Sequence, residues 1–435
     1  MSNLAIGFIA TAVMLGLIAI RVPIALALGG VSLIGLATIR GVPATLGLFG
    51  EMPMQFAASW SLSAMPMFIL MGAIAFHTGL TASIFEAARL WLSRLPGGLA
   101  IATNFASAGF AAASGSSLAT CAAMGRIAIP EMLKNRYDPA LATGCVAAAG
   151  TIGALIPPSL LFVLFGWMSG ASIGALLLAG ILPGLLTAFV YSVLIIVRVK
   201  INPQLAPPIV EVVSWRERFS VLRQIWPLPL LIGGVIVSIY SGFATATEAA
   251  ALGAFLAFLI GIALRRLNWT VLKLTLNETL ISTANIFFVA IGALLFTRFL
   301  AFAGVPTFLA TQIGELGLDP ITIILGLSVI YLVLGCFLDP LGVLLLTLPV
   351  ILPVLKEANI DLIWAGVIIV KYLEIGMITP PMGLNVYVVK GVAGKSIPVT
   401  TVFRGAIWFL LAEVVIMALI IAFPQISLFI PNQMR

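Results

Sequence analysis

The chain has 435 residues, of which 62% are hydrophobic and only 9% charged, with a formal net charge of +7. Soluble domains carry about 25% charged residues, and no soluble core hides this much apolar surface, so lipid must be the solvent for most of it. The excess Lys and Arg sit in connections between apolar segments, which encodes membrane orientation and argues against nucleic-acid binding.

Helices and closed barrels are the lipid-exposed structures that span a bilayer. The long Ala/Leu/Ile/Gly runs do not alternate, which predicts an all-α polytopic membrane protein. The first apolar stretch, Leu4 to Ile20, lacks a basic n-region and a small-residue cleavage site, so it is expected to be a mature helix and not a signal peptide. Spans follow at about 22–39 and 65–80. Residues 81–97 are partly polar and are expected to lie along the interface as a connecting arm.

Residues 99–133 break the pattern. LAIATNFASAGFAAA is too short to span, and the polar tip Ser114-Gly115-Ser116-Ser117 separates it from a second short piece, LATCAAMGRIAIPEML. Two half-length helices joined by a Gly/Ser tip predict a re-entrant hairpin. Its tip holds backbone groups and hydroxyls at membrane depth, tolerated only where they line a cavity or meet a ligand. Ser116 or Ser117 would cap the returning helix, whose N–H groups and positive dipole end favour an anion.

Further spans are expected at 140–156 and 160–197, the second divided near Gly170. A broken helix covers about 140–166, because Pro157-Pro158 removes two backbone donors and bars the preceding residue from regular helix. The character changes from 198 to 224, which is polar and carries Arg198, Lys200, Arg216, Arg218 and Arg223. Residues 201–224 are the expected cytoplasmic linker between two halves. Arg265, Arg266 and Lys273 mark a second cytoplasmic connection, and 267–277 a second interfacial arm. Counting back puts the N-terminus outside. The remaining expected spans are 226–242, 245–264, 279–303, 321–337, 362–378, 382–393 and 404–423.

The second half repeats the first with a shift of 223 residues: Pro130, Asp138, Gly153, Pro157 and Pro158 recur as Pro353, Asp361, Gly376, Pro380 and Pro381. The entry helices also match, with Leu28-Gly29 over Leu252-Gly253. Apolar halves interrupted at matching places predict two inverted-topology repeats, 1–200 and 225–435, with a binding site between them. The second hairpin covers about 321–355 and the second broken helix about 362–391, interrupted at Thr379-Pro380-Pro381. At the position equivalent to Ser116 stands Asp339, followed by Pro340. Asp-Pro is a strong helix-start signal, and a charge in so apolar a stretch is also a functional hypothesis. Asp339 therefore either binds an ion, or caps its helix, or does both. Carbonyls freed by the breaks, hydroxyls and a carboxylate are oxygen ligands, which suit a hard cation such as Na⁺.

Other residues carry weaker signals. Glu248 in TATEAAALG is expected to be structural. Arg298 is a candidate for a substrate carboxylate, with snorkelling to headgroups the favoured alternative. Asn385 follows the second break and is a candidate for facing substrate. His77 has no visible partner, and Cys121, Cys145 and Cys336 fall at no metal spacing. GVAGKS at 391–396 lacks the phosphate-loop spacing and follows no strand, so no nucleotide site or other cofactor is expected. NWT at 268 and NET at 277 match the glycosylation rule, with nothing to suggest use.

The SGSS and LDP hairpins, the breaks GALIPPS and GMITPPMGLN, and the TEAAA helix together resemble the large membrane (M) subunit of tripartite ATP-independent periplasmic (TRAP) transporters, over nearly the whole chain. More distantly they are similar to Na⁺-coupled dicarboxylate carriers with two hairpins. The TRAP resemblance implies an elevator-type transport domain in a bacterial inner membrane. It implies Na⁺-driven uptake of an organic acid delivered by a periplasmic solute-binding protein, with a separate small membrane subunit of about four helices. It also implies Na⁺ coordination at Ser114, Ser116, Ser117 and Gly153 in one half and at Asp339, Gly376 and Thr379 in the other. The second half lacks the SGSS tip. Competing expectations are a stand-alone ion-coupled carrier, a passive channel, and an intramembrane aspartyl protease. The last needs a second intramembrane Asp, whereas Asp138, Asp319 and Asp361 fall in connections.

Overall fold

The computed structural model describes residues 2–80, 82–208 and 214–434. Among them every regular element is helical. Residue 81 of the first expected arm and residues 209–213 of the expected linker lie outside the described residues.

Six helices among the described residues are long and apolar enough to cross a membrane: Trp60–His77, Ile173–Ile201, Ala246–Ala263, Trp269–Ala303, Pro340–Glu357 and Val399–Ala422. A seventh span results if Trp215–Ile225 and Pro227–Tyr240, bent by 50°, count as one. Six more apolar pieces run only 10–17 residues, among them Asn3–Ala19, Ile24–Arg40 and Pro139–Ala154. The twelve expected spans are thus a mixture of full-length helices and shorter ones. The interruptions are chemical: Gly170 ends Leu160–Ser169 in the left-handed region at φ 77°, and aspartates start new helices. Asp138, Asp319, Asp339 and Asp361 each accept backbone N–H bonds as N-caps, three of them followed by Pro in the first turn.

Packing follows the rule for helices in lipid, with small residues inward and large ones outward. Ala246–Ala263 buries Ala250, Gly253, Ala254 and Ala257 and exposes Phe255, Leu259 and Ile262. Pro139–Gly150 packs closely on Val399–Ala422. A Cβ on Gly144 would fall 2.6 Å from the Gly405 Cα, so both positions need glycine.

Four expectations need correction. Residues 267–277 do not form a separate arm for the most part; from Trp269 they run without a break into one 35-residue helix ending at Ala303. Thr275 and Thr279 are tolerated in it because each hydroxyl bonds the carbonyl four residues back. Val42–Ala57 is a helix where none was expected, started by Pro43 in its first turn. The linker is partly structured: Trp215–Ile225 is a helix opened by a Ser214/Glu217 capping box. It packs on Ala82–Leu92, where Trp91 donates to the Arg218 carbonyl at 3.3 Å and meets Trp215 and Phe219 edge-on. Finally, the two pieces flanking the Ser114–Ser117 tip are longer than the half-length helices expected: Gly98–Ser114 has 17 residues and Ser117–Lys134 has 18, the same as Pro340–Glu357.

Gly144→Val should lower stability by about 1–3 kcal/mol or more through overpacking against Gly405. Gly16→Ala, where a Cβ would meet nothing within 4 Å, should leave it unchanged or slightly raised. Thermal unfolding of the detergent-solubilised variants checks both.

Candidate functional site

The helix Gly98–Ser114 ends because Gly115 turns into the left-handed region at φ 61°, its N–H bonding the Ala111 carbonyl at 2.8 Å. Ser116 then adopts extended backbone and N-caps Ser117–Lys134, its Oγ accepting from the Ala119 N–H at 3.4 Å. Ser114 Oγ and Thr120 Oγ1 lie 3.2 Å apart across the turn. This tip rests on the first break. A Cβ on Gly115 would lie 2.6 Å from the Pro158 carbonyl oxygen, so only glycine lets the two backbones approach.

The first break begins as Pro139–Gly150 tightens into the 3₁₀ turn Thr151–Ala154, then gives way at Leu155–Pro158. Ser159 starts the next helix, accepting from the Phe162 N–H. The second break has the same order. Leu362–Gly376 ends, Thr379 Oγ1 donates to the Ile375 carbonyl at 2.7 Å, and Gly383 at φ 53° leads into Leu384–Ala393. The two expected glycines sit against hairpins: a Cβ on Gly153 would touch Ser117 at 3.4 Å, and one on Gly376 would lie 2.7 Å from the Gly335 Cα.

Both tips reach a single small cavity of about 120 Å³. Ser116 and Ser117 line it from one side, Asp339 and Pro340 from the other, and Glu374 and Met377 from the second break. Asp339 caps its helix, accepting from the Gly342 N–H at 2.9 Å, and is also half-buried on the cavity wall. Glu374 was not singled out from sequence. Its carboxylate is 1% exposed and accepts from the Ser117 hydroxyl at 2.6 Å. The signal was present in IIVKYLEIGM, where an acid stands in an apolar run two residues before Gly376, the glycine that the internal repeat matches to Gly153.

A second cavity of about 630 Å³ adjoins the first, sharing Ser116, Leu160 and Leu341. Ser114, Arg126, Phe110 and Ile127 line it from the first hairpin, and Gly72, Phe76, Glu278 and Ser282 from the facing helices. Arg126 is the one Lys or Arg among its described lining residues. His77, without a visible partner in sequence, holds Glu278 through Nε2 at 2.6 Å.

The other candidates lie elsewhere. Arg298 is exposed on Trp269–Ala303 and lines neither cavity. Asn385 is fully buried and crosses between the halves, donating to the Ala147 carbonyl at 3.3 Å, while its Oδ1 has no partner among the described residues. Thr379 lines neither cavity, its hydroxyl being spent on Ile375. Glu248 closes a capping box with Thr245. Cys121, Cys145 and Cys336 are free, and no cluster of three or more His, Cys, Asp or Glu fit for a metal ion occurs among the described residues.

Chemically, the small cavity offers carboxylate and hydroxyl oxygens and no cation of its own. Such a donor set fits a hard cation and opposes a bare anion. The larger cavity pairs apolar walls with one guanidinium and with the Glu278 carboxylate, which His77 engages, and a mostly apolar cavity with a few polar groups is the usual make-up of a small-molecule site.

Comparison with known proteins agrees with this architecture. The chain is 35% identical to the C4-dicarboxylate TRAP transporter large permease protein DctM of Pseudomonas aeruginosa, over 86% of each chain. It is 34% identical to the sialic acid TRAP transporter large permease protein SiaM of Vibrio cholerae, over 86% of this chain and 87% of that one. It is 33% identical to the isethionate TRAP transporter permease protein DctMQ of Oleidesulfovibrio alaskensis, covering 87% of this chain and 59% of that protein. In fold it resembles the YdaH transporter of Alcanivorax borkumensis, with a TM-score of 0.64 at 14% identity over 89% of this chain and 90% of that one. The family described as tripartite ATP-independent periplasmic transporter, DctM component, matches residues 11–426. The chain is therefore a multi-pass membrane protein that belongs to the DctM family of TRAP transporter large permeases.

Proposed function

We propose that the chain performs Na⁺-coupled uptake of an organic acid across a bacterial inner membrane, with the small cavity holding the coupling cation and the larger one the solute. The observation that carries this is the meeting of both hairpin tips with the buried Glu374 at one cavity. Asp339 and Glu374 supply negative charge, Ser116 and Ser117 supply hydroxyls, and Ala154 and Met377, the neighbours of Gly153 and Gly376, also line the cavity. A bound cation offsets the two carboxylates and so favours an anionic solute alongside, whose carboxylate pairs with Arg126.

The two halves act as inverted repeats, with the hairpins as re-entrant elements that travel with the site in an elevator motion. Support comes from the matched breaks and from the close packing of each break on a hairpin. A periplasmic binding protein delivers the solute, and a small membrane subunit completes the assembly. The DctMQ relative, whose length this chain covers only to 59%, supports the second partner. Each positive charge moved inward gains about 2.3 kcal/mol per 100 mV. Two Na⁺ accompanying a monoanion would therefore let the membrane potential add to the Na⁺ gradient.

In proteoliposomes with the partner proteins, Asp339→Asn and Glu374→Gln should each raise the Na⁺ concentration for half-maximal uptake about tenfold or more, equal to about 1.4 kcal/mol. Membrane yield should stay near wild type; unchanged Na⁺ activation in both would remove the small cavity from the coupling site. Arg126→Gln should instead raise the solute concentration for half-maximal uptake, about tenfold, at saturating Na⁺. Current recorded during uptake should be inward-positive, and electroneutral transport would refute the stoichiometry.

A further inference from the structure

A second set of buried charges lies behind the small cavity and takes no part in lining it. Lys371 is 0% exposed and Glu413 1%, and Lys371 Nζ meets Glu413 Oε1 at 2.6 Å. The Tyr191 hydroxyl, also fully buried, donates to the same Glu413 oxygen. Thr151 Oγ1 lies 3.4 Å from the Tyr191 hydroxyl. The Glu413 Oε2 atom has no partner among the described residues.

The ends of this chain of contacts are its informative feature. Thr151 opens the 3₁₀ turn that runs to Ala154, and Ala154 lines the small cavity. Lys371 stands one helical turn before Glu374 on Leu362–Gly376, and Glu374 lines the same cavity. Between them stand Tyr191 on Ile181–Ile201 and Glu413 on Val399–Ala422. The contacts therefore join the 3₁₀ turn at one break to the penultimate helical turn before the other.

Stability alone is a weak reason to bury such a pair. Matched apolar side chains usually hold a buried position as well as an ion pair does, whereas a pair missing one member is strongly unfavourable. What the pair supplies in addition is direction: a short, charge-assisted bond sets where each helix sits along the other. We propose that Lys371, Glu413 and Tyr191 are positioning residues that brace the two helix breaks against each other and thereby hold Ala154 and Glu374 at the spacing the coupling cation requires. The role rests on the reading of the small cavity as the cation site.

The test compares Tyr191→Phe, which removes one hydroxyl, with Lys371→Met and the double variant Lys371→Met/Glu413→Leu. Lys371→Met alone should reduce membrane yield, because Glu413 is left buried without its partner. The double variant should recover yield and thermal stability. In uptake assays, Tyr191→Phe and the double variant should raise the half-saturating Na⁺ concentration at least fivefold. The half-saturating solute concentration at saturating Na⁺ should remain that of wild type. Wild-type Na⁺ curves in both variants, or equal shifts for Na⁺ and solute, would overturn the brace and leave the cation site standing. Wild-type protein that shows no Na⁺ activation would overturn the cation site itself, and the brace with it.

Discussion

In hydrocarbon every backbone polar group needs a partner inside the protein, and this constraint organises the whole molecule. A helix interrupted by two prolines loses donors and exposes carbonyls, so it survives only where other protein covers it. Here the cover is a hairpin in each half. Gly115 lies over the Pro158 carbonyl, Ser117 packs on Gly153, and Gly335 packs on Gly376. Where breaks and tips come together, Ser116, Ser117, Asp339 and Glu374 border a shared space. The small cavity is that space, and its chemistry follows from which side chains the tips carry.

Charge is distributed around it in two tiers. Asp339 and Glu374 stand on the cavity wall, Glu374 bonded to Ser117 and Asp339 doubling as a helix cap. Behind them Lys371 neutralises Glu413 out of reach of water. Buried acids without a partner are expensive in such surroundings. On the proposed reading, the acids on the wall hold an exchangeable cation in front and the closed ion pair behind them is a fixed frame at the back. In the proposed mechanism the solute, being larger, takes the adjoining space, which Arg126, Phe110, Phe76 and Glu278 line.

Much of the local structure was legible in sequence because its causes are local. Asp-Pro starts, the Gly/Ser tip and the paired prolines act within a turn of where they stand, and each appears at its expected position. Errors arose where a local signal was absent or was misread. Polar residues after Trp269 suggested a surface arm, yet nothing in them stops a helix, and the helix runs to Ala303. Val42–Ala57 was missed because it is neither long nor uniformly apolar. Arg298, for which snorkelling to headgroups was the favoured alternative, is exposed and lines neither cavity.

Sequence by itself determined the solvent, the helical class, the repeated interruptions and the capping of individual helices, since composition and spacing act without knowledge of neighbours. The tertiary structure decided which interruptions meet. Ser117 reaches Glu374 across 257 residues, His77 reaches Glu278 across 201, and Tyr191 reaches Glu413 across 222. Partners so far apart leave no mark in local pattern, because their pairing depends on how helices pack in three dimensions and not on what either segment prefers alone.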